Sequence, residues 1–412
     1  LSSALAMFTF MQCFLCVSLA AGSEKLAHLS VAGSEKLGDP IQNMQISANC
    51  MQTDSNGNHI FYGLTNDTLF AYNLDTGIVT DRKTVTSANA LDIGSDGVLN
   101  IAGSRNFYRY NPSTKVLTNV GSISPDTAVM HKGCFDSQGN YYFGTYPNAS
   151  LFKYDIQAGQ LTKIGSNLVA GNYIRATASC GNNIFMGSMG SSENGVNTPA
   201  QLKVYNASNG QITEVAPPLW PEKGIVEGEV RQYYSMSSAG KYLFARFSCF
   251  TANTSWVMGV YDSEQKQWID FLLGTSHLHG SDMDENGFVY FRAVGNSGQR
   301  TFIAYNPATK QKIDYDGLDF YTGYLINPSV VTLKDQTNYP GKTVVFGASS
   351  EGIALFNLGK QQAQFIKEPL PHESFSMRTI HGGYRDEILV SSMASTKFVI
   401  YDAAQKKVKK EL

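Results

Sequence analysis

The chain has 412 residues, and 32 lysines and arginines against 34 aspartates and glutamates give a formal net charge of -2 at pH 7. This balance excludes a nucleic-acid binder that depends on bulk positive charge, although it leaves a local basic patch open. Only 16% of the residues are charged, while 38 are glycine, 22 tyrosine and 23 phenylalanine. Such a composition favours a β-rich protein with many turns over a helical bundle, a coiled coil or a disordered chain.

Residues 1–21 predict a secretory signal peptide. An apolar run starts at Met7 and ends in small residues at Ala21, and it is short for a membrane span, which needs about 20 apolar residues. The alternative is a buried core segment. The sequence Ala-Gly-Ser-Glu-Lys-Leu occurs at 21–26 and again at 32–37, and residues 22–42 predict a flexible leader, which leaves 43–412 as a single domain. We therefore expect a secreted, extracellular protein with no membrane span after signal removal.

Three further features bear on the compartment. Four Asn-X-Ser/Thr sequons favour a glycoprotein, at Asn66, Asn148, Asn206 and Asn253. Four cysteines remain after signal removal, an even number that allows disulfides without fixing their pairing: Cys50, Cys134, Cys180 and Cys249. These four cysteines form no Cys-X-X-Cys pattern, so a structural zinc site is not expected. The C-terminal Lys-Lys-Glu-Leu is similar to an endoplasmic-reticulum retention signal, which is the alternative location.

A short pattern recurs eight times along the chain: an apolar strand ends in an aromatic ring, and Asn or Asp follows. The rings are spaced by 38 to 56 residues and are Tyr72, Tyr110, Tyr154, Tyr205, Tyr261, Tyr305, Phe356 and Tyr401. A turn and another apolar strand precede each copy, and a turn with a short strand follows several of them. Every repeat is therefore predicted to contain four short antiparallel strands.

Repeats of this length and composition predict an all-β protein, a β-propeller of four-stranded antiparallel blades. One four-stranded sheet exposes two faces, and stacking the sheets around an axis buries each face against a neighbour. The recurring rings are expected to pack between blades. Eight repeats suggest eight blades, and seven are possible if one copy belongs to an insertion.

Polar side chains recur at one position near the start of the first strand of the repeats. Alignment on the glycine of the first turn places His131 and His279 at the same position. Other repeats hold there Asn49, Asn89, Ile174, Gln232, Arg378 and, in the seventh repeat, about Leu333, and the next position holds Lys132, Arg175 and Tyr233. A position between blades is expected to hold small or apolar residues, so this ring predicts a polar pocket on the axis. The alternative is that these side chains bridge neighbouring blades.

An inserted loop at 219–229 is expected over the same mouth of the channel. It carries Trp220, whose ring suits either sugar stacking or anchoring of the loop.

Arginine and histidine in one pocket favour an anionic ligand, because guanidinium pairs bidentately with carboxylate. With a uronic-acid sugar, an Arg or Lys would neutralise the carboxylate and make the C5 proton more acidic. A His or Tyr would remove that proton, and a second would protonate the leaving oxygen. The candidate acid–base groups are His131, His279, Tyr173 and Tyr233, and the candidate clamps are Arg175, Arg378, Lys132 and Arg231. No cofactor is required, although the two histidines with Gln232 could hold a divalent cation.

The segment Gly139-Asn-Tyr-Tyr-Phe-Gly-Thr-Tyr-Pro147, followed by Leu151-Phe-Lys-Tyr-Asp155 and by Tyr173-Ile-Arg175, resembles the blade motif of secreted propellers found among carbohydrate-active proteins. That group includes polysaccharide lyases and related glycosidases acting on uronate-containing glycans. The resemblance covers chiefly the third and fourth repeats and implies that His131, Tyr173 and Arg175 are catalytic.

Two hypotheses follow. The first is a secreted lyase that cleaves an acidic polysaccharide or oligosaccharide by β-elimination. The second is a non-catalytic secreted propeller that binds a glycan or a protein. A monomer is expected in both.

Overall fold

The computed structural model describes residues 42–43, 45–65, 67–128, 132–193, 195–251, 256–275, 279–316, 324–348, 352–366, 373–374, 377–383, 387–392 and 398–411. The chain divides into two compact units. One is Asn43–Glu373, and the other includes Ser374–Leu412.

The first unit begins with antiparallel sheets whose strands follow one another in chain order. Sheet 1 contains β2 Ala48–Thr53, β3 His59–Leu64, β4 Thr68–Asn73 and β5 Ile78–Thr84. Sheet 2 contains β6 Ala88–Ile93, β7 Leu99–Gly103, β8 Asn106–Asn111 and β9 Val116–Ser122. Sheet 3 contains β10 Thr127–Ala128, β11 Cys134–Phe135, β12 Tyr141–Tyr146, β13 Leu151–Asp155 and β14 Gln160–Gly165. Sheet 4 contains β15 Ile174–Cys180, β16 Asn183–Ser188, β19 Leu202–Asn206 and β20 Ile212–Glu214, with the inserted hairpin β17 Ser191–Glu193 and β18 Val196–Thr198.

Three more sheets complete the first unit, and an eighth lies in the second. Sheet 5 contains β21 Val230–Ala239, β22 Tyr242–Cys249, β23 Val257–Asp262 and β24 Gln267–Leu273. Sheet 6 contains β25 Val289–Val294, β26 Arg300–Asn306 and β27 Gln311–Tyr315. Sheet 7 contains β28 Leu325–Val331, β29 Thr343–Ala348, β30 Gly352–Asn357 and β31 Gln362–Ile366. Sheet 8 contains β33 Met377–Gly382, β34 Glu387–Ser392, β35 Phe398–Asp402 and β36 Lys407–Glu411. A two-stranded sheet pairs β1 Gln42–Asn43 with β32 Glu373–Ser374, and a 3-10 turn spans Pro221–Lys223.

The eight repeats thus correspond to eight antiparallel sheets, and the all-β prediction is confirmed. Within the described residues, the prediction of four strands fails in sheet 3, where β10 and β11 both pair with β12 and make five, and in sheet 6, which has three. The segment after His279 runs beside β25 in place of a first strand. The Ser281 backbone N–H donates to the Tyr290 carbonyl at 3.1 Å, but the Ser281 hydroxyl accepts the return bond from the Tyr290 N–H. A side chain therefore replaces one backbone rung, and regular pairing is lost.

Local hydrogen bonding explains why the aromatic–Asn/Asp pattern recurs. After five of the eight rings, the Oδ1 atom of the Asn or Asp accepts two backbone N–H bonds from the turn that follows the third strand. These residues are Asn73, Asn111, Asp155, Asp262 and Asn306. Such Asx turns favour a chain reversal at that point. The first turns of the repeats use the same device, since the Asp136 and Asp284 carboxylates accept two backbone N–H bonds each.

Clusters of buried apolar side chains join the sheets of the first unit in pairs. Sheets 1 and 2, 2 and 3, 3 and 4, 4 and 5, 5 and 6, and 6 and 7 each share one cluster. A seventh cluster joins sheet 7 to sheet 1, with Ile353 and Phe61 among its members. At that junction the Asn49 and Asn327 side-chain amides each donate to the other residue's carbonyl, at 3.0 and 2.9 Å. Each of the seven sheets therefore packs against two others.

The four cysteines after the predicted signal are buried free thiols, so none of the disulfides that the sequence allowed between them is formed. Burial raises the pKa of Cys180 to about 11 and the pKa of Cys249 to about 11. The thiolate is the form that alkylating reagents attack. We expect iodoacetamide to leave these cysteines unmodified in the native protein at neutral pH and to modify all four after unfolding. Mass spectrometry of the two samples tests this, and rapid native modification would contradict the buried positions.

Two of the four sequons lie in described segments, and both asparagines are hydrogen-bonded within the protein. The Asn148 amide nitrogen donates to Asp126 at 2.6 Å, and the Asn206 amide nitrogen donates to Asn183 at 3.1 Å. A glycan on either nitrogen would displace these bonds. Asn66 and Asn253 lie outside the described residues.

Candidate functional site

Arginine and aromatic side chains of sheets 4 and 5 lie together where the first strands of these sheets begin. This arginine cluster consists of Arg175, Arg246, Tyr173, Tyr234 and Trp256. The sequence analysis named only Arg175 and Tyr173 among them.

β-Bulges position two of these side chains. The pairing of β15 with β16 shifts register between Ile174 and Ala176, so that Arg175 is the extra residue. A similar shift in β21 makes Tyr234 the extra residue between Tyr233 and Ser235. Bulges change the direction of a side chain relative to the regular alternation of a strand. Tyr233, which the sequence analysis placed in the pocket, is therefore in the core at 1% exposure, and its neighbour Tyr234 contacts the arginines.

Arg175 is buried at 6% exposure and lies against two tyrosine rings. Its guanidinium carbon is 4.1 Å from the centre of the Tyr234 ring and 5.7 Å from that of Tyr173. The Nη1 atom is buried and has no hydrogen-bond partner. Cation–π contact covers the face of a guanidinium but leaves its N–H groups, which lie in the plane, unsatisfied.

Arg246 is buried more deeply, at 2% exposure, on the second strand of sheet 5. Its guanidinium carbon is 3.9 Å from the centre of the Trp256 ring and 5.5 Å from that of Tyr234. Its Nη2 donates a long bond of 3.5 Å to the Thr275 carbonyl, whereas Nε and Nη1 are buried without partners. Burial lowers the pKa of Arg246 to about 9, and the nearby charge of Arg175 acts in the same direction. A lone arginine within the apolar strand Tyr242–Cys249 was the sequence signal that could have identified it.

Residues from the first strands, or the equivalent segments, of all seven sheets of the first unit line a cavity of about 280 Å³, here called the first-strand cavity. Its charged residues are Lys132, Asp92 and Asp282. Asp92 accepts bonds from the Gly133 N–H and the Tyr141 hydroxyl, both at 2.7 Å. Both aspartates raise the pKa of Lys132 against the opposing effect of its burial. The half-buried Lys132 thus interacts in the cavity with the buried Asp92 and the exposed Asp282.

The pKa of Asp92 is raised to about 6, chiefly because burial disfavours its charged form, and the Lys132 charge opposes this rise. The pKa of this carboxyl is 3.8 in the unfolded chain and about 6 in the folded one. Its ionisation therefore lowers the free energy of unfolding as the pH rises from the first value to the second. We expect Asp92→Asn to keep both hydrogen bonds, because the amide oxygen can accept them. Its stability advantage over the native protein should grow between pH 4 and pH 6 and reach about 3 kcal/mol at neutral pH. Urea unfolding at a series of pH values measures the difference. Equal pH dependence of the two proteins would contradict the assignment.

Three of the expected pocket residues bond to neighbouring backbone or side chains, and one of them, Asn49, also lines the first-strand cavity. The Asn49 carboxamide joins sheet 1 to sheet 7, accepting from the Gly347 N–H at 3.0 Å and donating to the Asn327 carbonyl. The Asn89 amide joins sheet 2 to the Ala128 carbonyl of sheet 3 at 2.9 Å. The Gln232 amide donates to the Ser248 hydroxyl at 3.2 Å. The bridging alternative accounts for the two asparagines, and a substrate role for all three stays a prediction.

Trp220 lies apart from the arginine cluster. Its ring stacks on the ring of Phe271 of β24, with 5.7 Å between the ring centres. The Lys223 ammonium lies 5.8 Å from the centre of the Trp220 ring. Its backbone also pairs with Ile225 across the loop. These contacts anchor the loop, so of the two functions expected for this ring, the structure favours anchoring.

The histidines and Arg378 are located only in part. His279 is buried at 3% exposure. His131 lies outside the described residues. Arg378 lies on β33 of the second unit, and its side chain is outside the described part of the structure. Their proposed roles stay predictions.

Within the described ranges, no three His, Cys, Asp or Glu side chains are grouped to hold a metal ion. No helix in the same ranges is both long and apolar enough to cross a membrane.

Comparison with known proteins gives no family. No family model and no curated protein matches this chain. Among solved structures it is similar to a chain of the mitotic checkpoint complex, with a TM-score of 0.45, 9% identity, and coverage of 74% of this chain and 83% of that one.

It is also similar to the extracellular domain of a hybrid two-component system of B. thetaiotaomicron, with a TM-score of 0.36, 12% identity and coverage of 90% of this chain. The chain spans 61% of the length of that protein. Likenesses at this level assign neither a family nor a function.

Proposed function

We propose that this chain is a secreted carbohydrate-active protein that binds a uronate-containing glycan and cleaves it by β-elimination. The observation that carries the proposal is the arginine cluster, in which buried guanidinium nitrogens without hydrogen-bond partners belong to arginines that lie against aromatic rings. A uronate presents a carboxylate for the guanidinium and a ring face for the aromatic side chain.

We infer further that sheets 1 to 7 are the blades of a seven-bladed β-propeller. The cyclic order of the apolar clusters supports this inference, because the cluster between sheets 7 and 1 completes the series. Sheet 8 belongs to the other compact unit and would be the extra repeat. The first-strand cavity would then be the axial channel, with the arginine cluster near one mouth.

The proposed reaction needs three groups. Arg175 pairs with the uronate carboxylate, which stabilises the negative charge that develops when the C5 proton leaves. A base takes that proton, the C4–O bond breaks, and the electron pair of the C5–H bond becomes the C4–C5 double bond. An acid donates a proton to the departing oxygen. Tyr173 is the candidate whose ring lies against Arg175, and His131 and His279 are the other proposed acid–base groups.

One observation favours the second function, a propeller that binds an acidic glycan without cleaving it. His279 and Tyr233 are only 3% and 1% exposed. An acid or base must reach the C5 proton or the glycosidic oxygen of the polymer backbone, whereas the carboxylate projects from that backbone, so these two buried acid–base candidates are poorly placed for catalysis. The arginine cluster serves binding equally well.

The formation of an unsaturated uronate, which absorbs ultraviolet light, tests the proposal. The purified protein would be incubated with a panel of uronic-acid polymers, with and without a chelator. Rising absorbance on one polymer would establish a lyase and its substrate class, and loss of the signal with chelator would show a metal requirement. Binding by calorimetry without absorbance or new reducing ends would establish the second function and exclude the first.

A further inference from the structure

The two buried arginines of the cluster lack an anionic partner in the described part of the chain. No Asp or Glu there forms an ion pair with Arg175 or Arg246, and the groups that perturb Arg246 are two tyrosines and two other arginines. An uncompensated buried cation is strongly unfavourable. An external anion would balance the charge of two such cations that contact one tyrosine ring.

The stacking of Arg246 determines how an anion could approach. Trp256 lies over the guanidinium at 3.9 Å, so the face of the group is covered. The unpartnered Nε and Nη1 atoms carry their hydrogens in the guanidinium plane. An acceptor must therefore come in from the edge, where its other atoms would lie beside the aromatic rings.

We infer that the arginine cluster is an oxyanion-binding site in which Arg246 donates the primary hydrogen bonds and Arg175 supplies the second positive charge. The ligand group is a carboxylate or a sulfate ester carried on a sugar ring, because both present several acceptor oxygens to planar N–H donors. The inference rests on the proposed function only for the sugar that carries the oxyanion. Binding does not require the chain to be a lyase.

Monosaccharides test the site separately from cleavage, because a monosaccharide has no glycosidic bond to break. Glucuronate, glucose 6-sulfate and glucose would be titrated into the full chain at constant ionic strength, with intrinsic tryptophan fluorescence and thermal unfolding as readouts. We expect both anionic sugars, but not glucose, to change the fluorescence and raise Tm. A response to one anionic sugar alone would identify the oxyanion as carboxylate or sulfate.

Three variants assign the response to its residues. Arg246→Met should weaken anionic-sugar binding about 10- to 100-fold, the effect of losing hydrogen bonds to a charged group. Trp256→Phe should abolish the fluorescence change, whereas the matched control Trp220→Phe should retain it.

Stability separates a binding role of Arg246 from a structural one. Methionine in place of an uncompensated buried cation is expected to leave the Tm of the sugar-free protein equal or higher. A lower Tm of Arg246→Met with unchanged sugar binding would show that Arg246 is structural and would overturn the inference. Absence of any response to both anionic sugars in the native protein would also overturn it. Binding without cleavage of any polymer would uphold the inference and refute the lyase proposal.

Discussion

Replacing Arg175 by methionine is expected to lower kcat/KM on a uronate-containing polymer by about 100- to 1,000-fold, the cost of losing one donor that stabilises developing negative charge. The reason is local. Arg175 is 6% exposed, its Nη1 has no hydrogen-bond partner, and its guanidinium carbon lies 5.7 Å from the centre of the Tyr173 ring. Steady-state kinetics of product absorbance measure the change. If the chain binds without cleaving, the same variant should weaken binding of the acidic polymer.

A chemically altered substrate provides the control for this variant. In a carboxyl-reduced polymer the uronate becomes a neutral sugar, so the partner of Arg175 is absent. Arg175→Met and the native protein should then bind the polymer equally. An equal loss on charged and neutral polymers would show that the substitution disturbs the site generally. Arg109→Met is a matched control variant in sheet 2. This substitution should leave the activity unchanged, because Arg109 already pairs with Asp96.

Replacing Tyr305 by alanine is expected to lower the free energy of unfolding by about 3–5 kcal/mol, the range for removing a large buried aromatic side chain. Tyr305 is 0% exposed and belongs to the cluster between sheets 5 and 6. Its hydroxyl donates to the Asp270 carboxylate at 2.7 Å. It is one of the eight recurring rings, so the experiment measures what one repeat position contributes to packing between sheets.

Tyr305→Phe is the matched control, since it removes the hydroxyl and keeps the ring. Loss of one hydrogen bond to a charged group should cost about 1.5–3 kcal/mol. Urea unfolding of the three proteins separates the two effects. If alanine and phenylalanine were equally destabilising, the contribution would come from the Asp270 bond, and the packing role assigned to the ring would be wrong.

Much of the architecture was readable from the sequence because it depends on local rules. Alternation of apolar residues identifies strands, and an Asn or Asp after an aromatic ring identifies the turn that its Oδ1 atom closes. The ring residues could be assigned to packing between sheets, and Tyr110, Tyr305 and Phe356 lie in such clusters. The sequence alone could not show that the sheet of the last repeat belongs to a separate unit, because its strand pattern matches the others.

The candidate site was readable only in part because it lies where strand alternation breaks. A bulge adds one residue to a strand and shifts the alternation, and sequence spacing does not reveal it. Tyr233 was therefore predicted to line the pocket, whereas in the structure the bulge directs Tyr234 toward the arginines.

The sequence by itself determined that this protein is all-β, that it is built from eight similar repeats, and that Arg175 and Tyr173 are candidates for one site. Only the tertiary structure brought Arg246 and Trp256 to Arg175, because these residues are distant in the chain and meet through the packing of sheet 4 on sheet 5. Only the tertiary structure also showed that Asn49 and Asn89 bond to adjoining sheets. Hydrogen bonds between distant repeats depend on how the sheets pack, and no local pattern encodes that packing.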